Sequence, residues 1–199
     1  MANVELDSCI IEKLQSEFSV STDDINQYVR FFNKNIKPQI KTHYLSHLVT
    51  SIEDMINEKR KTEMFQDLDK INNKKEDVKE LKRYIMTKNI KLFSIVLAPV
   101  EITNGRKARV YNMPSAALIC YANYLTEQEK RFVIAHELGH IVTSVFFADN
   151  NEQESYASLF AFIALLDKNN FYVQECKYYT SKNDVQLFND FINIIKSKV

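Results

Sequence analysis

Residues 131–140, RFVIAHELGH, constrain the fold of this 199-residue chain more than any other segment. They contain the pattern H-E-x-x-H, which on a helix places His136 and His140 one turn apart on the same face. Two imidazoles at that spacing can bind one Zn²⁺ at about 2.0–2.1 Å each. Glu137 is rotated by roughly 100° from the first histidine, so it can reach a water molecule on the open side of the ion. The pattern therefore predicts a zinc site with Glu137 as general base.

The surroundings of this motif argue against a chance occurrence. The segment is strongly apolar, and two histidines and a glutamate would be costly in such a helix without a function. Gly139 is one of only two glycines in the chain, and glycine costs about 1 kcal/mol in a helix interior. We therefore expect another segment to pack closely against Gly139.

Composition narrows the class of protein. The 26 basic residues balance the 26 acidic ones, so no basic footprint for direct nucleic-acid binding is present. Three widely separated cysteines without C-x-x-C spacing disfavour a disulfide framework. The N-terminus has no signal-like apolar run, and no stretch approaches the ~18 apolar residues of a membrane span. We expect a cytoplasmic protein without membrane contact, and nothing indicates its oligomeric state.

Helical periodicity dominates the first half of the chain. Apolar spacing predicts helices over residues 6–18, from a cap within residues 21–24 to Phe32, and over about 39–57. The highly charged residues 57–83 predict one or two solvated helices or a mobile linker. A DNA-binding head is the weaker interpretation, because the short helix-turn-helix spacing and a basic recognition face are missing.

A second pair of histidines, His43 and His47, has the same spacing as the first. Tyr44 stands where a general base would be, and no acidic third ligand follows closely. We interpret this pair as part of a helix face rather than as a second metal site.

The pattern changes to that of a small sheet at residue 90. Residues 90–100 are apolar and partly β-branched, which predicts a strand. Asn104-Gly105, flanked by residues 101–103 and 106–110, is a strong hairpin signal and predicts that the strands on either side of it pair. Residues 116–124 predict a third strand. We expect a mostly antiparallel sheet.

Helices are predicted again after the sheet. Thr126 and Glu129 form a capping box that begins the zinc helix at about residue 127, and the helix extends to about 147. Two further helices follow, at about 152–167 and after a cap at Asn183 or Asp184. The predicted fold is therefore α+β, with a helical N-terminal region and charged linker (1–88) before a second domain (89–199).

An acidic residue is the expected third metal ligand, since a catalytic zinc usually has three protein ligands and one water. The candidates are Asp149, Glu152 and Glu154. Glu154 is preferred because it lies in the first turn of a helix that must pack against the zinc helix, and Glu152 is the second choice. Alternatively, these acids only complement the positive N-terminus of that helix.

Residues 131–140 resemble the RFTLAHELGH segment of the ImmA/IrrE metallopeptidases. The strand residues VYNMP and ALICY before the motif are also similar to that family, and the resemblance covers about residues 90–167. It implies a gluzincin-like fold whose E-x-E-A-[ND]-x-F-A pattern places the third ligand at Glu154. A register anchored on Phe160-Ala161 would place Tyr156 there instead.

The same resemblance implies a zinc-dependent endopeptidase that cleaves a partner regulatory protein. The typical partner is a helix-turn-helix repressor encoded nearby, whose cleavage switches on genes of mobile elements, phages or stress responses. We expect the substrate to lie extended along the sheet near residues 116–124, with Tyr156, Tyr178 and Tyr179 as weak candidates for the oxyanion donor. The alternative is a metallopeptidase-fold regulator that only binds its partner, with the N-terminal helices as the interaction module.

Overall fold

A computed structural model describes residues 8–18, 20–36, 38, 45–72, 76–101, 106–147 and 153–166. Helices and three strands make up most of these residues, which confirms the α+β fold class. In chain order they are α1 (Ser8–Phe18), α2 (Thr22–Phe31), α3 (Leu45–Asn72), α4 (Glu76–Thr87), β1 (Ser94–Val100), β2 (Ala108–Met113), β3 (Ala116–Ala122), α5 (Glu127–Phe146) and α6 (Gln153–Leu166). The helix expected after Asn183 or Asp184 lies outside the described residues.

The predicted helix boundaries hold where local signals are strong. Ser21 caps α2 by a reciprocal pair of hydrogen bonds with Asp24, within the segment expected to hold the cap. A short π-helical turn, Phe32–Ile36, extends α2. In contrast, α3 does not end near residue 57 but continues through the charged segment to Asn72. Lysine and glutamate are good helix formers, so high charge alone does not end a helix.

The strand order corrects the expected hairpin. The sheet order is β1-β3-β2, with β1 parallel to β3 and β2 antiparallel to β3. The prediction that Asn104-Gly105 makes β1 and β2 neighbours is therefore wrong for these strands, although the turn itself lies outside the described residues. The hairpin forms instead between β2 and β3, through the two-residue turn Pro114-Ser115. The sheet is consequently mixed rather than mostly antiparallel.

Burial and backbone chemistry explain this order. In β3, Ala117 and Ile119 are fully buried, which suits the central position. Pro99 in β1 lacks an N–H group, which confines it to an edge strand. The preference of β3 for the centre and of β1 for the edge depends on contacts across the sheet. A local turn signal such as Asn104-Gly105 does not predict those contacts.

One hydrophobic core includes residues from both halves of the chain. β2 and β3 pack on α5, β1 packs on α3, and α5 packs along α6, which also contacts α1 and α2. The division at residues 88 and 89 stays a prediction. None of the described helices is both long and apolar enough to cross a membrane.

Two buried polar residues of α3 hold the start of β1. Asn57 donates to the carbonyl of Phe93 at 2.8 Å and accepts from the backbone N–H groups of Leu92 at 2.6 Å and Phe93 at 2.9 Å. The Glu53 carboxylate accepts from the N–H of Ile95 at 2.8 Å. A buried polar group is tolerated when it is hydrogen-bonded in this way, so α3 sets the position of the sheet edge.

The cap of α5 leads to a prediction about pH. Glu129 accepts from the backbone N–H of Thr126 at 3.1 Å and pairs with Lys107 at 2.9 Å. The Lys107 ammonium, and after it Thr126, lower the pKa of Glu129 below its usual 4.5. We expect Glu129→Ala to lower the free energy of unfolding by about 1–2 kcal/mol at pH 7, through loss of the cap and the ion pair.

This loss should depend on pH in a defined direction. Because the pKa of Glu129 is lower in the folded state, its contribution is present above the unfolded pKa and is lost as pH falls through the folded value. Urea unfolding at pH 7 and pH 3 measures the difference, and Glu127→Ala in the same exposed turn is the matched control. An equal difference at both pH values would contradict the assignment.

Candidate metal centre

Helix α5 presents the three residues of the H-E-x-x-H motif. It begins at Thr126 with the capping box expected from the sequence. His136 and Glu137 are buried, and His140 is half-buried. The centroids of the two imidazole rings are 4.8 Å apart, with the rings nearly perpendicular. Both histidines therefore face one point beside the helix.

Glu154, in the first turn of α6, completes the group. Its Oε2 lies 3.2 Å from Nε2 of His136, and its Oε1 lies 3.5 Å from Nε2 of His140. One ligand atom from each of the three residues lies within 4.8 Å of the others, and no second such group occurs among the described residues. The structure thus brings together the three residues that the sequence selected, while their role as ligands stays a prediction.

The remaining ligand candidates fall elsewhere. Asp149, Glu152 and His43 lie outside the described residues. His47 lies half-buried on α3, as expected for a helix face. Tyr156, placed in the ligand position by the other register, is buried and its ring lies 5.5 Å from that of Tyr28. The side chain of Tyr156 therefore contacts α2 and does not belong to the metal group.

The contacts of Glu154 with the two histidines are close to the spacing expected around a zinc ion. Ligands at about 2.0–2.1 Å in a tetrahedral arrangement lie roughly 3.3–3.4 Å from one another. The Glu154 carboxylate comes close to this spacing, with Oε2 at 3.2 Å from the His136 nitrogen and Oε1 at 3.5 Å from the His140 nitrogen. Two imidazoles and one carboxylate are also a donor set typical of catalytic zinc. The residues present therefore fit a zinc site in donor type, and one ligand atom of each lies within 4.8 Å of the others.

Electrostatics keep the third residue ionised. Hydrogen bonds from His136 and then from His140 hold the pKa of Glu154 well below its usual range. Metal ligands must be deprotonated, so Glu154 is in the required state at neutral and mildly acidic pH.

Close packing of α5 and α6 places Glu154 within reach of the histidines. A Cβ atom added to Gly139 would lie only 2.7 Å from the Cα and from the carbonyl oxygen of Ala157. Only glycine permits this approach, which confirms the expected packing role of Gly139. The small residues Ala157 and Ala161, both fully buried, supply the matching surface on α6.

Ser158 also contacts the candidate site, and no sequence pattern had singled it out. Its Oγ lies 3.1 Å from Nδ1 of His136, and its side chain is buried. Ser158 follows Glu154 by four residues, so one face of α6 contacts both nitrogens of His136. When Nε2 binds a metal, Nδ1 carries the proton and donates to Ser158, which orients the ring. The signal that could have found it is the i, i+4 spacing from Glu154.

This contact predicts a loss of metal affinity on mutation. Partners of ligand histidines typically contribute 10- to 100-fold to metal affinity. We expect Ser158→Ala to raise the zinc Kd by about that factor, measured by competition with a chromogenic chelator. Ser144→Ala is the matched control, because Ser144 is an exposed serine of α5 that bonds only the Ile141 carbonyl at 2.9 Å among the contacts described. An unchanged Kd for Ser158→Ala would rule out the orienting role.

Among the described strands, the sheet edge beside α5 is β2 and not the strand expected from the sequence. β3 pairs on both sides within the described sheet, so the expectation of strand addition near residues 116–124 is wrong. β2 is the edge strand that packs on α5. The N–H of Ala122 donates to the carbonyl of Lys107 at 2.9 Å, and bonded pairs alternate along an antiparallel ladder. The backbone groups directed to the open edge are therefore those of Ala108, Val110 and Asn112.

Comparison with known proteins agrees with this geometry. A peptidase family described as the IrrE N-terminal-like domain matches residues 90–186. The match includes the sheet, the H-E-x-x-H motif and Glu154, and it confirms the resemblance to the ImmA/IrrE metallopeptidases. No curated protein and no solved structure shows a significant match.

Proposed function

We propose, from the membership of residues 90–186 in the ImmA/IrrE peptidase family, that this protein is a zinc-dependent endopeptidase acting on a partner regulatory protein. The observation that carries the proposal is the convergence of His136, His140 and Glu154. Glu137 lies in the same helical turn as these histidines. A ligand group and an adjacent carboxylate are the two parts that metal-assisted hydrolysis requires.

The residues of this chain have distinct roles in the proposed reaction. His136, His140 and Glu154 would hold a zinc ion, which lowers the pKa of a water molecule towards 7 and polarises the scissile carbonyl. Glu137 accepts the proton of the attacking water and then delivers it to the leaving amine. Ser158 keeps the His136 ring in the orientation in which Nε2 faces the site. Burial of Glu137 shields this proton transfer from bulk water.

The outer edge of β2 is the proposed place for the substrate backbone. An extended peptide can add to an exposed strand through main-chain hydrogen bonds, with alternate side chains providing specificity. On β2 these bonds would involve Val110 and its neighbours at positions 108 and 112. Arg109 and Tyr111 are exposed on the strand and would contact the substrate side chains.

A helix-turn-helix repressor is the proposed partner, with the cytoplasm as the site of action. The support is the family resemblance, since ImmA/IrrE peptidases typically act on repressors encoded nearby. Among the 199 residues, basic and acidic side chains balance, which favours a protein substrate over direct contact with DNA.

A second candidate function is a regulator that binds its partner without cleaving it. The observation in its favour is a set of exposed apolar side chains on α4, which lies before the matched segment. Leu81, Tyr84 and Met86 are each at least 45% exposed. Exposed apolar side chains of this kind often mark protein–protein contacts.

Metal content and co-expression test the two candidates. The enzyme should purify with about one zinc per chain by elemental mass spectrometry, and His136→Ala should lose it. Co-expression with a helix-turn-helix repressor from the adjacent gene should yield defined repressor fragments by mass spectrometry. If the purified protein holds no metal and binds none on titration with zinc, the proposal that it is a zinc-dependent endopeptidase is wrong. A stable complex with intact repressor instead supports the binding regulator.

A further inference from the structure

We propose that residues 21–36, named here the N-terminal brace, set the position of Glu154 relative to the two histidines, with Tyr28 as the central positioning residue. The brace comprises the cap of α2, the helix and its π-helical extension. It lies before residue 90, outside the segment matched by the peptidase family. The proposal rests on the proposed zinc site and assigns part of that site's framework to the N-terminal helices.

Tyr28 contacts the end of the zinc helix. Its hydroxyl lies 2.7 Å from Oγ1 of Thr143, three residues after His140, and its ring stacks on Phe147 with centroids 4.4 Å apart. Tyr28 is 1% exposed, and so is Thr143. Burial raises the pKa of Tyr28, so its hydroxyl stays protonated and can donate. The brace thus fixes the last turn of α5.

The brace also contacts the start of α6. The Tyr28 ring lies 5.5 Å from that of Tyr156, two residues after Glu154. The Asp24 carboxylate accepts hydrogen bonds from the hydroxyl groups of Ser21 and Tyr156. Both bonds lower the pKa of Asp24, and the bond from Ser21 has the larger effect. One turn further along, the rings of Phe32 and Phe160 lie 6.3 Å apart. Contacts therefore extend over more than one turn of α6.

The site needs such a connection because its ligands come from two helices. Metal sites require their side chains to be held within about 0.5 Å of the binding geometry by supporting residues. Tyr28 touches the last turn of α5 and the first turns of α6 at the same time, so a shift of either helix disturbs its contacts. Removal of the Tyr28 hydroxyl leaves the buried Thr143 hydroxyl without this partner, which favours local rearrangement.

Ordinary core packing is the competing explanation, and it predicts a different result. A residue that only stabilises the fold changes the free energy of unfolding, but it leaves the zinc affinity of the folded protein unchanged. A positioning residue changes the affinity itself. Zinc affinity, measured on protein that is fully folded, therefore separates the two explanations.

Tyr28→Phe is the first test because it keeps the stacked ring and removes only the hydroxyl. We expect it to raise the zinc Kd about tenfold, in the range typical of groups that orient metal ligands. Thr143→Val removes the partner hydroxyl at nearly constant volume and should raise the Kd equally. Because both variants break the same bond, the double variant should show no further increase.

Ile85→Ala is the matched control. Ile85 is buried in α4, which packs on α3 and is not among the principal contacts of α5 and α6. It should lower the unfolding free energy without changing the Kd. If the wild-type protein and Tyr28→Phe bind zinc equally well, the positioning role of the brace is contradicted while the proposed function stands. If wild-type protein binds no zinc, the proposed function itself fails.

Discussion

Replacement of Glu137 by glutamine is expected to abolish peptide cleavage while leaving the zinc content unchanged. An amide of nearly the same size preserves packing at this buried position but cannot accept the proton of the attacking water. General base catalysis typically contributes about 10²–10⁴-fold, so kcat/KM should fall by that factor. The measurement uses a fluorogenic peptide spanning the cleaved bond, together with zinc analysis of the same preparation.

Glu127→Gln provides the matched control for this variant. Glu127 lies exposed in the first turn of the same helix, so this replacement changes one charge of α5 far from the motif. It should retain wild-type kcat/KM. If Glu137→Gln cleaves as fast as the wild type, Glu137 is not the base. If Glu137→Gln loses the metal as well as the activity, Glu137 contributes to metal binding rather than acting only as the base.

Replacement of Gly139 by alanine should have the largest effect on stability. The added Cβ would lie 2.7 Å from two backbone atoms of Ala157, which cannot move aside unless α6 shifts. Overpacking typically costs about 1–3 kcal/mol, which exceeds the roughly 1 kcal/mol by which alanine favours a helix over glycine. Since α6 carries Glu154, the same shift should weaken zinc binding.

Urea unfolding of the metal-free protein and chelator competition measure the two effects of Gly139→Ala. Ser144→Ala, at an exposed position of the same helix, gains helix propensity without approaching another backbone and should be neutral or slightly stabilising. Should Gly139→Ala be equally stable and bind zinc normally, the close approach of α5 and α6 would not determine the geometry of the site.

Much of the candidate site could be predicted because its signals are local. The spacing of His136, Glu137 and His140 needs only a helix, and the Thr126 cap begins that helix where the sequence predicts. Glu154 was selected from its place in the first turn of a following helix that must pack against the zinc helix, and the structure brings it to the histidines. Short-range periodicity and capping depend on neighbours within a few residues, so the sequence alone contains them.

The rest depended on contacts between distant segments. Strand order depends on which of the three strands best tolerates a neighbour on both edges. The Asn104-Gly105 turn signal is local and carries no information about the relative burial of the three strands. The contacts of Ser158 with His136 and of Tyr28 with Thr143 exist only because their helices pack in a particular orientation. The sequence by itself determined the spacing of the candidate metal ligands on α5 and the start of this helix at the Thr126 cap. Tertiary packing decided which edge strand lies beside α5 and which residues contact the candidate site and its helices, because those contacts join segments separated by up to 115 positions in the chain.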